Sequence, residues 1–273
     1  MEQIPAYFRS RMSFHLVNMH KHTWPLLLGM FVVSACSSTH YYAARSTGSA
    51  LLEVTDQANP SLVSGPSSNL ANYLQTYHDS LDRSMNQVLV QSAKYLKKGG
   101  VESELGDLLT DLFREQAQKR YGATIDLAHM NNGGIRAELP AGNITLRNVY
   151  EIMPFDNDLV VLTVSGETMR QFIEYLAARL DPQSGLKLVV DKETKKPLEI
   201  YVQGQPFDSQ KTYRILVSDY VATGGDSAFF LKNSLKSEPL NYLMRDAIRD
   251  YFVSKGQQNQ ILNPQLDGRT TLR

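Results

Sequence analysis

One predicted loop in this sequence combines residue types that can bind an anion. It follows an apolar, strand-like run and consists of Asn131, Asn132, Gly133 and Gly134. Asparagine and glycine favour turns and left-handed backbone, and glycine leaves the backbone N–H groups open to a ligand. Arg136 adds a planar guanidinium with five N–H donors. The loop predicts a site for phosphate, or for a ligand that needs several hydrogen bonds. A tight turn beside a solvated arginine is the alternative.

A second loop repeats this arrangement further along the chain. Gly224 and Gly225 follow an apolar run at residues 213–221, and the carboxylate of Asp226 comes directly after them. A carboxylate in that position can accept hydrogen bonds from sugar hydroxyls or base amino groups. It can equally serve only to close an Asx turn. The two loops together favour a ligand site more strongly than either loop alone.

Two aromatic residues stand beside these polar segments. Phe155 lies between Pro154 and a run of three polar residues, and Tyr220 lies near the end of the apolar run before the second glycine pair. A large aromatic ring in such a place is either a small core anchor or an exposed stacking face. Tyr220 could also be the last core residue of its strand.

The spacing of apolar residues predicts the helices and strands that must position the two loops. Apolar residues at helical spacing predict helices over residues 70–81, 104–120, 167–180 and 240–256. The first of these helices carries an apolar face formed by Leu70, Tyr73, Leu74, Tyr77 and Leu81. Gly256 is expected to close the last helix from the C′ position. Strands are predicted at residues 87–93, 123–130, 158–166, 186–191, 197–204 and 213–221, the fourth and fifth forming a hairpin.

These elements are interspersed without strict βαβ alternation. We therefore expect a mixed β-sheet flanked by helices, in the α+β (α/β-like) class. Hydrophobic residues make up 42% of the chain, which is ordinary for a globular protein that buries a core. The formal net charge is zero, so composition argues against a nucleic-acid binder.

The first 36 residues resemble an export signal. The apolar run at residues 24–33 is too short to span a bilayer, which needs about 20 residues, but it suits a signal-peptide core. It leads to the only cysteine, Cys36, in a VSAC motif that resembles a bacterial lipobox. We expect a lipoprotein signal peptide at 1–36, a tether with a hairpin at 37–66, and the folded domain at 67–273. An ordinary cleaved signal beside a stray cysteine is the alternative.

Taken together, the motifs resemble the C-terminal domain of the 5′-nucleotidase family. The similarity covers roughly residues 83–256 and includes ESELGDLLTDLFR, NNGGIR, MPF and YRILVSDYVATGGD. In that family this domain grips the nucleotide. The resemblance implies that Asn131 and Arg136 contact the substrate, with Arg136 directed towards the phosphate. It also implies that Phe155 and Tyr220 sandwich the base and that Asp226 holds the ribose hydroxyls.

Some members carry a further phosphate-directed arginine ahead of the Leu-Gly helix, where this chain reads KKGGVESELG. Nucleoside binding is therefore expected to survive better than nucleotide binding.

The resemblance also implies where catalysis belongs. Full-length members use an N-terminal metallophosphatase domain with two metals, held by Asp-x-His and Gly-Asn-His-Asp/Glu motifs that this sequence lacks. Its six histidines show no ligand spacing: His15, His20, His22, His40, His78 and His129. We expect no cofactor or metal in this chain, and divalent metals only on a partner.

The sequence thus suggests the nucleotide- or nucleoside-binding half of a 5′-nucleotidase-type hydrolase, with its metallophosphatase on a separate chain. The expected location is the bacterial cell envelope, lipid-anchored on the periplasmic side of the outer membrane. Two alternatives stay open. One is a non-catalytic nucleotide-binding envelope lipoprotein, and the other is a structural lipoprotein with a relic site.

Overall fold

The computed structural model describes residues 66–273 of the chain. The predicted signal peptide, Cys36 and the predicted hairpin near residues 40–55 lie outside the described residues. The helices are α1 (Pro66–Met85), α2 (Glu104–Tyr121), α3 (Leu146–Ile152), α4 (Gly166–Arg179), α5 (Asp219–Ala222) and α6 (Met244–Gln257). Among these described helices, none is both long and apolar enough to cross a bilayer.

Twelve strands accompany the helices in this part of the chain. They are β1 (Val88–Ser92), β2 (Leu127–His129), β3 (Gly142–Thr145), β4 (Asp158–Ser165), β5 (Gln183–Ser184), β6 (Leu186–Val190), β7 (Pro197–Val202), β8 (Gln205–Pro206), β9 (Thr212–Ser218), β10 (Lys236–Leu243), β11 (Ile261–Leu262) and β12 (Thr270–Leu272). Short 3₁₀ turns occur at Asn132–Gly134, Gly225–Ser227 and Phe229–Asn233.

The central sheet is five-stranded and mixed, in the order β10-β4-β9-β2-β5. β2 and β9 run parallel, whereas β4 pairs antiparallel with both β9 and β10. Two smaller sheets, β11-β1-β3 and β12-β6-β7-β8, flank it. The second contains the predicted hairpin, formed by β6 and β7. The α+β class and the helix-flanked mixed sheet are confirmed.

Alternation along the central strands divides the core into two clusters. Leu159 and Val161 of β4 pack with the apolar face of α2 and with α6, whereas Val160 and Leu162 pack with α4 on the opposite face. Successive side chains of a strand point to opposite faces, so one apolar run serves both clusters. Helices therefore cover both faces of the sheet, and the strand ends remain free to carry loops.

Helix α2 shows why its boundaries were predictable. The Ser103 side chain accepts a hydrogen bond from the Gly106 N–H, and Gly122 ends the helix with a left-handed φ of 76°. An N-cap hydroxyl and a C′ glycine are the signals that begin and end a helix. The predicted apolar residues of this helix are all buried: Leu105, Leu108, Leu109, Leu112 and Phe113.

Two expectations about the helices need correction. Residues 240–243 belong to β10, so the last helix begins at Met244 and not at residue 240. Gly256 lies inside α6 and does not occupy its C′ position. A β-carbon there would overlap the carbonyl oxygen of Leu89, so glycine permits close packing of α6 on β1. The apolar face of α1, from Leu70 to Leu81, is exposed in the part of the chain that the structure describes.

Candidate functional site

The two glycine-pair loops meet at one edge of the central sheet. The first loop (residues 131–136) follows β2, and the second loop (residues 223–227) follows β9 and the short helix α5. β2 and β9 are neighbouring parallel strands, so the segments after them emerge at the same edge. The Asn131 side-chain amide donates to Asp226 Oδ2 at 2.8 Å, across 95 residues of sequence. Tertiary structure therefore joins the two loops directly.

A cavity of about 480 Å³ opens between these loops and the segment around Phe155. That volume falls in the usual range of small-molecule sites. Six residues predicted for the site line it: Asn131, Gly133, Gly134, Phe155, Tyr220 and Asp226. Six further lining residues were not predicted: Met130, Met153, Asp156, Asn157, Ser218 and Met244. Apolar walls with a few convergent polar groups are typical of pockets that bind an aromatic ligand.

Both predicted aromatic rings face this cavity and are not core anchors. Phe155 is 42% exposed and Tyr220 is 47% exposed, although each lines the pocket. Among the described residues these two rings form no aromatic pair with each other. Tyr220 lies in α5 and not at the end of β9, so the strand-end alternative is wrong. The arrangement leaves two aromatic faces for a flat ligand.

The Asp226 carboxylate accepts hydrogen bonds from three other side chains. Its Oδ2 accepts from Asn131 and from Arg179, at 2.8 and 3.2 Å. Its Oδ1 accepts from the Tyr220 hydroxyl at 3.1 Å, and the Asp226 N–H donates to that hydroxyl at 3.2 Å. The carboxylate is 24% exposed, so it remains within reach of the cavity. The Asx-turn alternative fails to explain these long-range partners.

The remaining members of the first loop lie outside the cavity. Arg136 is exposed, donates to the Gly133 carbonyl at 3.2 Å and stands 5.9 Å from the Phe155 ring centroid. Asn132 points away, because its side-chain amide donates to Leu180 O and to Asp181 Oδ1. Arg136 thus occupies the rim of the pocket, whereas Asn132 anchors the loop from behind.

The two glycine pairs serve different steric purposes. In the first loop, Asn132, Gly133 and Gly134 form a 3₁₀ turn, and none has a positive φ. The expected left-handed backbone is therefore wrong for this loop. In the second loop Gly224 has a φ of 102°, which favours glycine. A β-carbon at Gly225 would lie 2.6 Å from Cζ of the Tyr220 ring, so only glycine lets that ring lie flat against the loop.

A buried carboxylate behind the first loop holds it in place. Asp181 Oδ1 accepts from the backbone N–H and the side-chain amide of Asn132, while Oδ2 contacts His129 Nε2 at 3.3 Å and Arg179 Nε at 2.7 Å. Burial opposes ionisation, but hydrogen bonds from His129, Arg179 and Asn132 outweigh it and hold the pKa of Asp181 below its ordinary value. His129 is buried, as expected of a core residue.

Arg179 connects this carboxylate to the site. It contacts both Asp181 and Asp226, and its guanidinium lies 5.1 Å from the Tyr175 ring centroid. The sequence analysis missed Arg179 and Asp181, since neither lies in a glycine-rich loop. The only local signal is an arginine two residues before an aspartate at the end of a helix.

One carboxylate cluster in the described residues has metal-like spacing. Single oxygens of Glu102, Asp107 and Asp267 lie within 4.8 Å of one another. However, Glu102 accepts from the backbone N–H groups of Asp267, Gly268 and Thr270, and the Arg269 guanidinium engages both oxygens of Asp267. Burial raises the pKa of Asp107 to about 8 against the attraction of Arg269. These contacts indicate a structural role, in which the carboxylates attach the C-terminal segment to α2 and to the residues just before it.

A second large cleft lies elsewhere. It measures about 570 Å³ and lies between β1 and the end of α6, where amide and aliphatic side chains line it without a charged residue. A nucleotide site needs cations or carboxylates that converge on the ligand, and the cleft beside β1 offers neither. The cavity between the two loops is therefore the stronger candidate.

Comparison with known proteins places this chain in a family. Residues 83–233 match the family described as "5'-nucleotidase, C-terminal domain". This match covers more than half of the chain, and the protein belongs to that family. The resemblance inferred from the motifs is thus confirmed.

Curated relatives contain this region within much longer chains. A trifunctional nucleotide phosphoesterase of Bacillus subtilis is 26% identical over 183 residues, which is 62% of this chain and 12% of that protein. Protein UshA of Escherichia coli is 34% identical over 108 residues, covering 37% of this chain and 19% of UshA. This chain therefore spans only a small part of these relatives.

Solved structures agree on the fold. A 5'-nucleotidase precursor from Thermus thermophilus superposes with a TM-score of 0.64 at 26% identity, covering 74% of this chain and 42% of that one. A NAD nucleotidase from Haemophilus influenzae gives a TM-score of 0.57 at 17% identity, over 76% of this chain and 41% of its own. At that identity the second likeness shows the fold alone.

Proposed function

We propose that this chain binds a nucleotide or nucleoside and is the substrate-binding half of a 5′-nucleotidase-type hydrolase. The observation that carries the proposal is the hydrogen bond between Asn131 and Asp226, which closes the two glycine-pair loops around a cavity lined by Phe155 and Tyr220. Family membership supports a nucleotide-related role for exactly this region. Among the proteins named above, the Bacillus subtilis relative is by its printed name a nucleotide phosphoesterase, and the Thermus thermophilus structure is a 5'-nucleotidase precursor.

The base of the ligand occupies the gap between the two aromatic faces. Aromatic stacking contributes about 1–3 kcal/mol per base, so Phe155 and Tyr220 together supply much of the affinity. Their exposure leaves these faces available without rearrangement of the core. Asn157, which lines the cavity and donates to Asp219 at 2.8 Å, adds a polar group at the edge of the base.

The sugar and phosphate lie towards the carboxylate and the rim. Asp226 accepts from the ribose hydroxyls, since carboxylate oxygens are strong acceptors for vicinal hydroxyl groups. Arg136 stands beside the Phe155 ring, and Lys98 donates to the Ile135 carbonyl at 2.6 Å next to it. Lys98 supplies a cation in the segment ahead of α2, where some family members carry an arginine. Phosphate recognition by the chain alone is weak, because both cations are exposed to solvent.

Hydrolysis requires a second chain in this proposal. Divalent metals on a separate metallophosphatase would activate water for attack on phosphorus, while this chain presents the nucleotide. The test is phosphate release from AMP by the purified chain, by a metallophosphatase from the same cell, and by their mixture. We expect release only from the mixture. Phe155→Ala should abolish the gain, and Phe229→Ala, which removes a more exposed ring that does not line the cavity, should not.

A non-catalytic role is the second candidate. The exposed position of Arg136 favours it, because a chain that captures nucleosides needs no phosphate clamp. In that case adenosine binds as tightly as AMP, and no partner yields phosphate. A lipid on Cys36 would hold either kind of protein at the bacterial envelope, and mass spectrometry of the N-terminal peptide tests that anchor.

A further inference from the structure

We infer that Arg179 is a positioning residue for the proposed nucleoside site, and that it selects for ligands with ribose hydroxyls by orienting Asp226. This role rests on the proposed function. Arg179 is not among the residues that line the cavity, so it acts through Asp226 and not on the ligand.

The contacts of Arg179 make it a rigid strut. Its Nε donates at 2.7 Å to Asp181 Oδ2, whose side chain is only 1% exposed. Its Nη2 donates at 3.2 Å to Asp226 Oδ2, and the guanidinium lies over the Tyr175 ring. A guanidinium is planar, so fixing one N–H on a buried carboxylate also fixes the direction of the other. One end of the strut is therefore anchored in the core, and the other end reaches the site.

Asp226 needs such support for a backbone reason. Its φ is 52°, a left-handed value that costs energy for any residue with a β-carbon. The two neutral donors on its carboxylate, Asn131 and Tyr220, lie on the loop and helix that border the open cavity. Arg179 is the one donor of the three that carries a charge, so it also attracts the carboxylate electrostatically.

The pattern of bonds also identifies the free acceptor. A carboxylate offers about four lone-pair positions. Asn131 and Arg179 occupy Oδ2, and Tyr220 takes one position on Oδ1. The remaining acceptor position is on Oδ1. Loss of Arg179 would leave Oδ2 held by Asn131 alone, so the carboxylate could rotate more freely and the direction of Oδ1 would be less firmly set.

Arg179 further ties both loops to one carboxylate. Asp181 holds the first loop through the Asn132 N–H, and through Arg179 it also holds Asp226 in the second loop. A ligand that uses Asp226 therefore depends on this strut. A ligand that only stacks between Phe155 and Tyr220 does not.

The test compares two ligands that share a base. Adenosine carries the hydroxyl pair, and 2′,3′-dideoxyadenosine lacks it. Calorimetric titration of the full chain with each ligand is repeated for Arg179→Gln and Arg179→Lys. Arg170→Gln is the matched control, because Arg170 lies on the same helix and covers an aromatic ring, Phe207, at 4.8 Å.

We expect Arg179→Gln to weaken adenosine binding about tenfold, because the misdirected Asp226 carboxylate loses about one charge-assisted hydrogen bond from a ribose hydroxyl. The affinity for dideoxyadenosine should change less than about twofold. Arg179→Lys should weaken adenosine binding by about threefold, since a lysine keeps the positive charge but cannot donate to Asp181 and Asp226 from one planar group. Arg170→Gln should change the affinity for neither ligand. Circular dichroism melting shows that each variant is folded, and Arg179→Lys carries the comparison if the glutamine variant unfolds.

The contrary outcomes are separable. Equal weakening of both ligands by Arg179→Gln would mean that Arg179 only supports the fold, and unchanged adenosine binding would mean that it does not orient Asp226. Either result overturns this role and leaves the proposed function standing. A wild-type chain that binds neither ligand would overturn the proposed function, and the role of Arg179 with it.

Discussion

Replacement of Asp181 by asparagine tests the support behind the candidate site. The aspartate accepts four hydrogen bonds: two from Asn132 at Oδ1, and one each from His129 and Arg179 at Oδ2. Asparagine keeps one acceptor oxygen and places an NH₂ group where the other oxygen was. If the oxygen stays with Asn132, the new NH₂ group faces the donors of His129 and Arg179. Asp181→Asn therefore leaves two donors without an acceptor.

The size of the effect follows from burial. An unsatisfied buried donor costs about 1–3 kcal/mol, and breaking a buried charge pair costs about 3–5 kcal/mol. Arg179 is 36% exposed and can recover a water molecule, whereas His129 is fully buried and cannot. We therefore expect Asp181→Asn to lower the free energy of unfolding by about 3 kcal/mol. For a domain of this size that is a fall in Tm of about 6–12 °C.

The assay is urea unfolding monitored by circular dichroism, with Asp191→Asn as the control. Asp191 also accepts several hydrogen bonds, from Thr194 and Glu193, but it lies half-buried at the start of a surface turn. Its replacement should cost less than about 1 kcal/mol. The folded-state pKa of Asp181 lies below its ordinary 3.8, so its stabilisation is present above that pH and is lost as the pH falls through the folded pKa. The difference between wild type and Asp181→Asn should shrink accordingly in acid.

A loss below about 1 kcal/mol for Asp181→Asn, or one no larger than that of Asp191→Asn, would refute this reasoning. It would mean that the contacts of Asp181 exchange with solvent at no cost, and that the first loop is held by its own turn.

Three further substitutions test separate features. Gly225→Ala places a β-carbon against the ring and the backbone carbonyl of Tyr220, so titration should show adenosine binding weakened about tenfold; unchanged binding would show that the position of this ring does not matter. Gly256→Ala overlaps the Leu89 carbonyl and should cost about 1–3 kcal/mol in denaturant unfolding; an unchanged midpoint would show that α6 is free to shift. Asp107 keeps a proton in the folded state up to pH about 8 that the unfolded chain releases near 3.8, so its stabilisation disappears as pH rises through that interval. The melting temperature of Asp107→Asn relative to wild type should therefore increase from pH 5 to pH 9, and a constant difference would contradict the raised pKa.

Local signals predicted most of the fold. Ser103 and Gly122 cap α2 by general rules that are visible in the sequence, and the apolar run of β4 is long enough to read as a strand. Strand β10 was not predicted, because Lys236, Glu238 and Pro239 are unusual in a strand. They are tolerated at the edge of the sheet, where one side of the strand has no partner to satisfy. Misreading β10 also moved the predicted start of the last helix four residues too early.

The candidate site was predictable in its residue types but not in its connections. Glycine pairs, an arginine and two aromatic rings are local features, and resemblance to the family gave them roles. The hydrogen bonds of Arg179 with Asp226 and of His129 with Asp181 join residues 47 and 52 positions apart. Such contacts depend on how β2, β9 and α4 pack, which no local pattern encodes. The network behind the site was missed for that reason.

Calorimetric titration of the chain with adenosine and AMP tests the central claim most directly, with a Phe155→Ala, Tyr220→Ala double variant as the control. The account predicts heat of binding for the wild-type chain that disappears in the double variant, while both proteins melt at similar temperatures because each ring is exposed. Binding that persists unchanged in the double variant, or no heat above dilution in the wild type, would contradict a nucleoside site between these two rings.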